Sequence, residues 1–370
     1  MNGRSGRNSR TYTVRAAIMA ASMLGTSLIA GGPALANTAN PLVIDRGLNN
    51  PRGLKFGPDG NLYVAEGGSG GGNSTTAGQC DQVPGPIGPY MGSDTGAGIA
   101  MIDHSGHVTT VINNLPSSQT QPAPHPLISG VADIAFIGNT LYAIEAGAGC
   151  SHGVPSTPNQ VYRIDQDAHS ATPIANLSAF QMANPVANPE ADDFEPDGTW
   201  YNMIAVGGAL YAVEPNHGEI DRITTSGKIS RVIDVSASQG HVVPTALAYH
   251  GIFFTGNLGR FGPGYDPSKV WRVTPSGQIK LGPEGFRMVV GLAFDKFDQM
   301  YVLELSGGAF PSPNSGRVTR VKPNGEEEVV VDGLNFPTGI TYGPDGNLYV
   351  SNNGIGLPGT GQIVRIDLAN

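Results

Sequence analysis

Apolar and polar residues alternate along most of the chain in short runs separated by turns, and one such pattern occurs six times. Each copy is a short apolar strand, a turn, and a second strand that contains an aromatic residue and ends in a polar one. The copies are GLKFGPDGNLYVAE at 53–66, DIAFIGNTLYAIE at 133–145, MIAVGGALYAVE at 203–214, ALAYHGIFFTG at 246–256, GLAFDKFDQMYVLE at 291–304 and GITYGPDGNLYVSN at 339–352. Internal repetition of this kind is typical of propellers and other repeat architectures.

Each copy is followed by a second pair of alternating segments around a turn rich in Gly, Asn, Asp or Ser, as in KVWRVTPSGQIKLG at 269–282. This alternation is the pattern of half-buried β-strands. We name the four strands of a unit A, B, C and D. Six units of four antiparallel strands predict an all-β fold, a six-bladed β-propeller that forms a single domain over residues 37–370.

The last unit has no strand D of its own after GQIVRIDLAN at 361–370. The segment PLVIDRGLNNPRGL at 41–54 aligns with EVVVDGLNFPTGI at 328–340, where strand D of unit five runs into strand A of unit six. We therefore predict that Val43 to Gly47 adds the missing strand to the last blade. This pairing closes the ring, whereas an open ring would leave unpaired strand edges.

Residues 1–36 have the pattern of a cleaved secretory signal peptide, with four arginines, an apolar run and the small-residue sequence Ala34-Leu35-Ala36. We expect a secreted or periplasmic protein. No apolar run approaches the roughly twenty residues of a membrane span. Loss of the four arginines changes the formal net charge from −9 to −13, so nucleic acid and anionic membranes are poor partners. We also expect a monomer.

The chain contains two cysteines, Cys80 and Cys150. They fall in the predicted B–C loops of neighbouring blades, and in an exported protein two cysteines are expected to form one disulfide.

The loops differ in length between the two faces of the predicted propeller. The A–B and C–D turns are short, whereas the B–C loops include residues 67–98, 146–159, 257–268 and 306–315. Long loops on a rigid scaffold usually carry binding and catalytic groups, so we predict the functional site on the B–C and D–A face, called here the loop-rich face. The acidic segment NPEADDFEPDG at 188–198 joins blades two and three on this face. It is either a solvated loop or a cation-attracting rim.

Polar residues at the strand ends are the candidate site residues. Strand B ends in Glu66, Glu145, Glu214, Gly256, Glu304 and Asn352, and strand A begins near Arg52, Asp133 and Asn202. Converging oxygens can hold a divalent cation, with Ca²⁺ the first candidate. Alternatively, the strand-end side chains accept backbone N–H groups from the next blade. Arg52, Glu66, Asp133, Asn202, Glu214, Glu304 and Asn352 are the binding candidates, and Asp133, Glu145 and His217 are the candidates for acid or base catalysis.

The glycines of GGSGG at 67–71 form neither a nucleophile elbow nor a dinucleotide fingerprint, because no strand-turn-helix context surrounds them. We expect no nucleotide cofactor.

The segment NFPTGITYGPDGNLYVSNNG at 335–354 resembles the units of NHL and gluconolactonase/regucalcin-type propellers. The chain as a whole most resembles the exported ScyD/ScyE family. The features that carry this resemblance are the signal peptide, RGLNNPRGLKFGPDGNLYVAEGG at 46–68 and YAIEAGAG at 142–149. This resemblance implies the fold and export, and leaves the reaction open. We expect a protein that binds a small molecule, glycan or protein on its loop-rich face.

The alternative is a metal-dependent hydrolase or lyase acting on an ester or lactone, with Asp133 or Glu145 as base. Gluconolactonase-like propellers imply a metal set of acids and amides around the channel. Glu66, Asp133, Asn202 and Asn352 resemble that set in residue type.

Overall fold

The structure is a computed structural model that describes residues 39–72, 76–83, 85, 87–120, 126–189, 194–260, 267–308 and 311–368. The predicted signal peptide lies outside the described residues. Within them the chain forms six antiparallel sheets, which are the blades of a six-bladed β-propeller. The predicted fold class is therefore confirmed.

The strands follow the predicted order of units. The first strand, β1 (Leu42–Leu48), belongs to the last blade. Blade 1 contains β2 (Pro51–Phe56), β3 (Leu62–Glu66), β4 (Met91–Ile102), β5 (Val108–Gln119) and β6 (Ile128–Ser129), and blade 2 contains β7 (Val131–Ile137), β8 (Thr140–Glu145), β9 (Gln160–Asp165) and β10 (Ser170–Asn176). Blade 3 contains β11 (Asn202–Val206), β12 (Ala209–Glu214), β13 (Glu219–Thr224) and β14 (Ile229–Asp234).

Blade 4 contains β15 (Pro244–His250), β16 (Ile252–Asn257), β17 (Ser268–Val273) and β18 (Ile279–Phe286), and blade 5 contains β19 (Val289–Phe294), β20 (Met300–Glu304), β21 (Gly316–Val321) and β22 (Glu327–Leu334). Blade 6 contains β23 (Gly339–Tyr342), β24 (Leu348–Asn352), β25 (Gly361–Ile366) and β1. Two short helices, α1 (Leu177–Ala183) and α2 (Ser236–Gln239), and a 3-10 turn at Cys150–His152 lie in the connections.

Pairing between the two ends of the propeller closes the ring. Strand β1 pairs antiparallel with β25, from Leu42 opposite Arg365 to Leu48 opposite Gly361. The innermost strand of each blade contacts that of the next, and β23 of the last blade contacts β2 of the first. The predicted closure is confirmed, and the innermost strands surround a central channel.

The hydrophobic core is divided among the interfaces between blades. Ile99 of blade 1 packs in one cluster with Ile134 and Leu141 of blade 2, and all three are fully buried. The Tyr63 ring meets the Phe136 ring edge to face, with centroids 5.1 Å apart. Each sheet thus buries both faces against its neighbours, and the polar residues collect at the strand ends and along the channel.

The structure differs from the sequence prediction in the outer hairpin of blade 1. Residues 67–98 were predicted as one loop, but β4 already begins at Met91, which pairs with Gln119 of β5. The segment MGSDTGAG at 91–98 consists mainly of small and polar residues, so it lacks the alternation that identifies a strand. In the described part of the chain, no helix has the length and apolar character needed to cross a membrane.

Candidate functional site

The side chains that end the six B strands tie the loops of the loop-rich face to the blades. In five blades the partner is a backbone group in the connection that enters the same blade. Glu66 Oε1 accepts from Asn49 N at 2.7 Å, Glu214 Oε1 from Thr199 N at 2.8 Å, Glu304 Oε2 from Arg287 N at 2.6 Å and Asn352 Oδ1 from Asn335 N at 2.9 Å, and Asn257 Nδ2 donates to Val242 O at 2.9 Å. These contacts support the interpretation that the strand-end side chains bond to backbone groups and hold the fold together. The partners belong to the same blade, however, and not to the next one as predicted.

The strand-end position of blade 4 is Asn257 rather than Gly256. Asn257 pairs with Pro244 as Glu66 pairs with Pro51 and as Glu304 pairs with Val289. The set therefore contains four carboxylates and two amides.

Glu145 is fully buried and is bonded differently from the other five. Its Oε1 accepts from Gly147 N at 2.8 Å and Ala146 N at 3.2 Å. Among the described residues Oε2 has no hydrogen-bond partner. Burial raises the pKa of Glu145 to about 8, and the two backbone N–H groups offset only part of this effect.

The strand-end glutamate of blade 5 is neutralised within its own sheet. Arg317 Nε and Nη2 lie 2.7 and 2.9 Å from the two Glu304 oxygens, and Thr319 Oγ1 donates to Oε1 at 2.9 Å. In register, Glu304 pairs with Arg317 and Val302 pairs with Thr319. The same two positions of blade 3 are occupied by Glu219 and Asp221.

Blade 3 consequently buries three carboxyl groups, Glu214, Glu219 and Asp221. Glu219 bonds to the Arg231 guanidinium and to Gln181 Nε2, whereas neither oxygen of Asp221 is in hydrogen-bond geometry with any described residue. Burial, and then the charges of Glu219 and Glu214, raise the pKa of Asp221 well above its usual value; Arg231 offsets only part of this effect. Burial also raises the pKa of Glu214 to about 7.

Replacing Asp221 by Thr, the residue of the corresponding position in blade 5, should stabilise the protein near neutral pH. A buried carboxyl group beside two other buried acids is costly, because it is either charged next to like charges or held protonated by burial, and we expect a gain of about 1–3 kcal/mol in the free energy of unfolding. Urea denaturation of Asp221→Thr beside the exposed-site control Asp332→Thr checks this. A loss of stability at neutral pH in Asp221→Thr would contradict it.

Asp133 joins three blades at the wall of the channel. Its position in strand A corresponds to Gly53, Asn202, Ala246, Gly291 and Gly339 of the other blades. The carboxylate accepts from Lys55 Nζ at 3.2 Å, from Met203 N at 2.9 Å and from the Asn202 amide. A Cβ at Gly53 would lie only 1.7 Å from Asp133 Oδ1, so glycine at 53 makes room for this side chain.

Hydrogen bonds between the innermost strands continue around the ring. Asn202 Oδ1 accepts from Leu247 N at 2.8 Å, and Thr338 Oγ1 donates to Pro51 O at 2.6 Å. Burial raises the pKa of Asp133, and the Lys55 charge opposes this effect. The structure thus brings Asp133 and Asn202 together in contacts that hold neighbouring blades together.

A tyrosine crosses the channel at its loop-rich end. The Tyr201 hydroxyl of blade 3 donates to Thr338 O of blade 6 at 3.0 Å. Arg52 donates to Ile128 O and also interacts with the Tyr201 hydroxyl. Burial lowers the pKa of Arg52 and raises that of Tyr201 to about 12. Arg52 therefore belongs to the closed end of the channel.

The rest of the channel is a cavity of about 530 Å³. At its narrow end Val290 and Thr338 are 3% and 2% exposed, whereas Tyr249 beside the A–B turn of blade 4 is 40% exposed. The cavity therefore opens on the face opposite the long loops.

On the loop-rich face, the predicted disulfide between Cys80 and Cys150 is confirmed, with their Cα atoms 6.3 Å apart. The disulfide is compatible with an extracellular location. Next to it, Ser151 Oγ and N both donate to Asp197 Oδ2 at 2.7 Å. Glu195 Oε1 accepts from the Tyr90 hydroxyl at 2.8 Å.

Glu195 and Asp197 are 3% and 6% exposed, so the solvated-loop interpretation is wrong for these two acids. Residues 190–193 of the same segment lie outside the described residues.

His217 lies under this acidic segment. Its ring Nε2 is 3.0 Å from Glu195 O, and its ring packs against Phe194 with centroids 5.0 Å apart. Burial lowers the pKa of His217, which favours the neutral imidazole. Its proposed role as acid or base stays a prediction.

A groove of about 410 Å³ lies between the disulfide, α1 and the acidic segment. We call it the disulfide groove. It is lined by Cys80, Asp81, Cys150, Gln181, Met182, Pro185, Val186, Pro189, Phe194, Pro196, Asp197 and His217. The Met182 side chain is 58% exposed, so the groove presents an apolar wall to solvent.

The four residues suggested for a metal make hydrogen bonds within the fold. Glu66 and Asn352 each accept a backbone N–H of their own blade, and the Asp133 oxygens already accept from an ammonium, an amide and N–H groups. Within the described ranges, no group of three or more His, Cys, Asp and Glu side chains is arranged to hold a metal. A divalent cation at these residues stays a prediction.

Sequence reasoning missed Lys55, Tyr201, Glu219 and Asp221. Lys55 had a signal, because the corresponding residues of the other strands A are Ala135, Ile204, Ala248, Ala293 and Thr341, and none of these is charged. Glu219 and Asp221 of blade 3 had no such signal in the sequence. Their charges are close to that of Glu214 only because of the register between β12 and β13.

No known protein family and no curated protein matches the chain. Solved structures similar to it include the PQQ-bound aldose sugar dehydrogenase of Streptomyces coelicolor, with a TM-score of 0.54 and 14% identity over 90% of this chain and 99% of that one. A structural-genomics protein of unknown function from Bacteroides thetaiotaomicron gives a TM-score of 0.55 and 13% identity, over 90% and 72%. A protein assigned as a gluconolactonase gives 0.51 and 11%, over 90% and 94%. At these identities the likeness shows the β-propeller fold alone.

Proposed function

We propose that the protein is an exported β-propeller of the ScyD/ScyE type that binds an apolar small molecule, neutral or cationic, in the disulfide groove of its loop-rich face. The observation that carries the proposal is the groove itself. Its volume of about 410 Å³ falls in the range of small-molecule sites, which are concave and mainly apolar.

The chemistry of the groove supports this ligand class. Met182, Pro185, Val186 and Phe194 offer apolar surface, and the disulfide bounds one side. The acids Asp81 and Asp197 line the same space, and a chain of strongly negative net charge disfavours an anion there.

The contacts of the groove also support a preformed site. Tyr90, Ser151 and His152 hold the acidic segment through Glu195 and Asp197, and the disulfide ties the loops of blades 1 and 2. Little ordering is then needed on binding, which favours affinity. No contact at Asp133, Glu145 or His217 specifically favours the hydrolase alternative, so the reaction is left unassigned.

Calorimetric titration with naphthylmethylammonium, an apolar cation, tests the groove. We expect saturable binding that weakens at least about tenfold in Met182→Arg, because the new cation repels the probe and replaces part of the apolar surface of the groove. Leu281→Arg, at a leucine of β18 that is 52% exposed, is the matched control and should bind as the unmodified protein does. Equal affinity in Met182→Arg, or absence of binding, would show that the groove is not the site.

A further inference from the structure

The central channel is a blind pocket that lies apart from the disulfide groove. Tyr201 and Thr338 close it toward the loop-rich face, and it widens toward the short A–B turns, where Tyr249 is exposed. We propose that this pocket binds a small carboxylic acid with an apolar body, the carboxylate at Lys55 and the body against the aromatic residues at the mouth.

The position of Lys55 supplies the anion contact. Its ammonium lies 3.2 and 3.3 Å from the two Asp133 oxygens, and a lysine ammonium has three donors. One donor thus remains for a ligand, and the Lys55 side chain is 23% exposed on the cavity wall. A carboxylate is the acceptor that gains most from such a charge-assisted bond.

Asp133 does not cancel the attraction for an anion. Its carboxylate also accepts from Ile134 N, Met203 N and the Asn202 amide, so much of its charge is already engaged. Lys55 is the one charged side chain among the described residues that line the cavity. An anion that enters the cavity therefore meets the positive charge of Lys55 on its wall, inside an otherwise acidic protein.

The mouth of the cavity fits an apolar body. Leu247, Leu292 and Ile340 border the cavity, but their side chains are buried between blades, so the apolar surface open to a ligand is the aromatic group Tyr249, Phe294 and Tyr342 at the mouth. The volume of about 530 Å³ is large enough for a fused aromatic ring or a medium-length aliphatic chain. An acid that lacks an apolar body would leave the aromatic residues at the mouth uncovered.

Three probes with the same ring system and different charges measure how binding depends on charge: naphthoate, neutral naphthamide and naphthylmethylammonium. We expect naphthoate to bind the channel best, and Lys55→Gln to weaken it by about tenfold or more while changing naphthamide little, because a hydrogen bond to a charged group is worth roughly 1.5–3 kcal/mol. Circular dichroism first establishes that Lys55→Gln is folded.

Ala205→Trp keeps the test decisive if Lys55→Gln does not fold. Ala205 lines the cavity and is exposed, so a larger side chain there narrows the pocket without entering the core. We expect Ala205→Trp to abolish naphthoate binding and Met182→Arg, in the disulfide groove, to leave it unchanged. Unchanged naphthoate binding in Ala205→Trp, tight binding of the cation that Ala205→Trp abolishes, or no saturable binding of naphthoate or decanoate at millimolar concentration would overturn the proposal.

Discussion

The protein should lose several kcal/mol of stability as the pH rises from about 5 to about 8, and Glu145→Gln should remove much of this loss. Burial raises the pKa of Glu145 from its ordinary value of 4.5 to about 8. A carboxyl group with a raised folded-state pKa adds stability that is complete below the unfolded value and disappears as the pH rises through the folded value. Each pH unit in this window corresponds to about 1.4 kcal/mol, so Glu145 alone accounts for a loss on the order of 5 kcal/mol.

Glutamine is the matched replacement because its oxygen can still accept from Ala146 N and Gly147 N. We expect Glu145→Gln to have the same free energy of unfolding as the unmodified protein near pH 5 and a larger one near pH 8. Guanidinium denaturation, followed by the fluorescence of Trp200 and Trp271, measures both values. Glu284→Gln, at an exposed glutamate, should keep the original pH dependence. A flat pH profile of the unmodified protein, or lower stability of Glu145→Gln near pH 8, would contradict this prediction.

The fold could be predicted because each blade repeats its own local signal. Alternating strands and short turns recur six times, and the likeness between residues 41–54 and 328–340 indicated the ring closure that β1 and β25 form. The errors occurred where the local signal is weak. The segment IFFTGN at 252–257 ends in an amide instead of a glutamate, so the strand end was placed one residue early. The extra length of β4 depends on pairing with β5 across many residues.

The candidate site was only partly predictable, because its contacts join residues from different blades. Asp133 and Asn202 were chosen as polar residues near the start of strand A, and in the structure their side chains are hydrogen-bonded to each other. That the Tyr201 hydroxyl reaches Thr338 on the opposite side of the channel follows from the curvature of the ring, which the sequence does not contain. The strand-end acids illustrate the same limit, since Glu304 has Arg317 beside it whereas Glu214 has Glu219.

Asp133→Ala should destabilise the protein on the order of 3–5 kcal/mol, because it removes the acceptor shared by two buried backbone N–H groups, an amide and an ammonium. Ile134 N and Met203 N lose their partner, and the Lys55 ammonium loses the carboxylate that it bonds to. Lys55→Ala should cost less, since Asp133 keeps three other donors and alanine occupies this position in three of the other blades.

A double-mutant cycle by chemical denaturation separates these effects. We expect Asp133→Ala/Lys55→Ala to be less damaging than the sum of the two single variants, with a coupling of about 1–3 kcal/mol, because the double variant leaves no unpaired ammonium in the channel. Additive losses would show that Lys55 and Asp133 act independently. If Asp133→Ala is as stable as the unmodified protein, Asp133 has no structural role. That result would favour the role as acid or base that the sequence suggested.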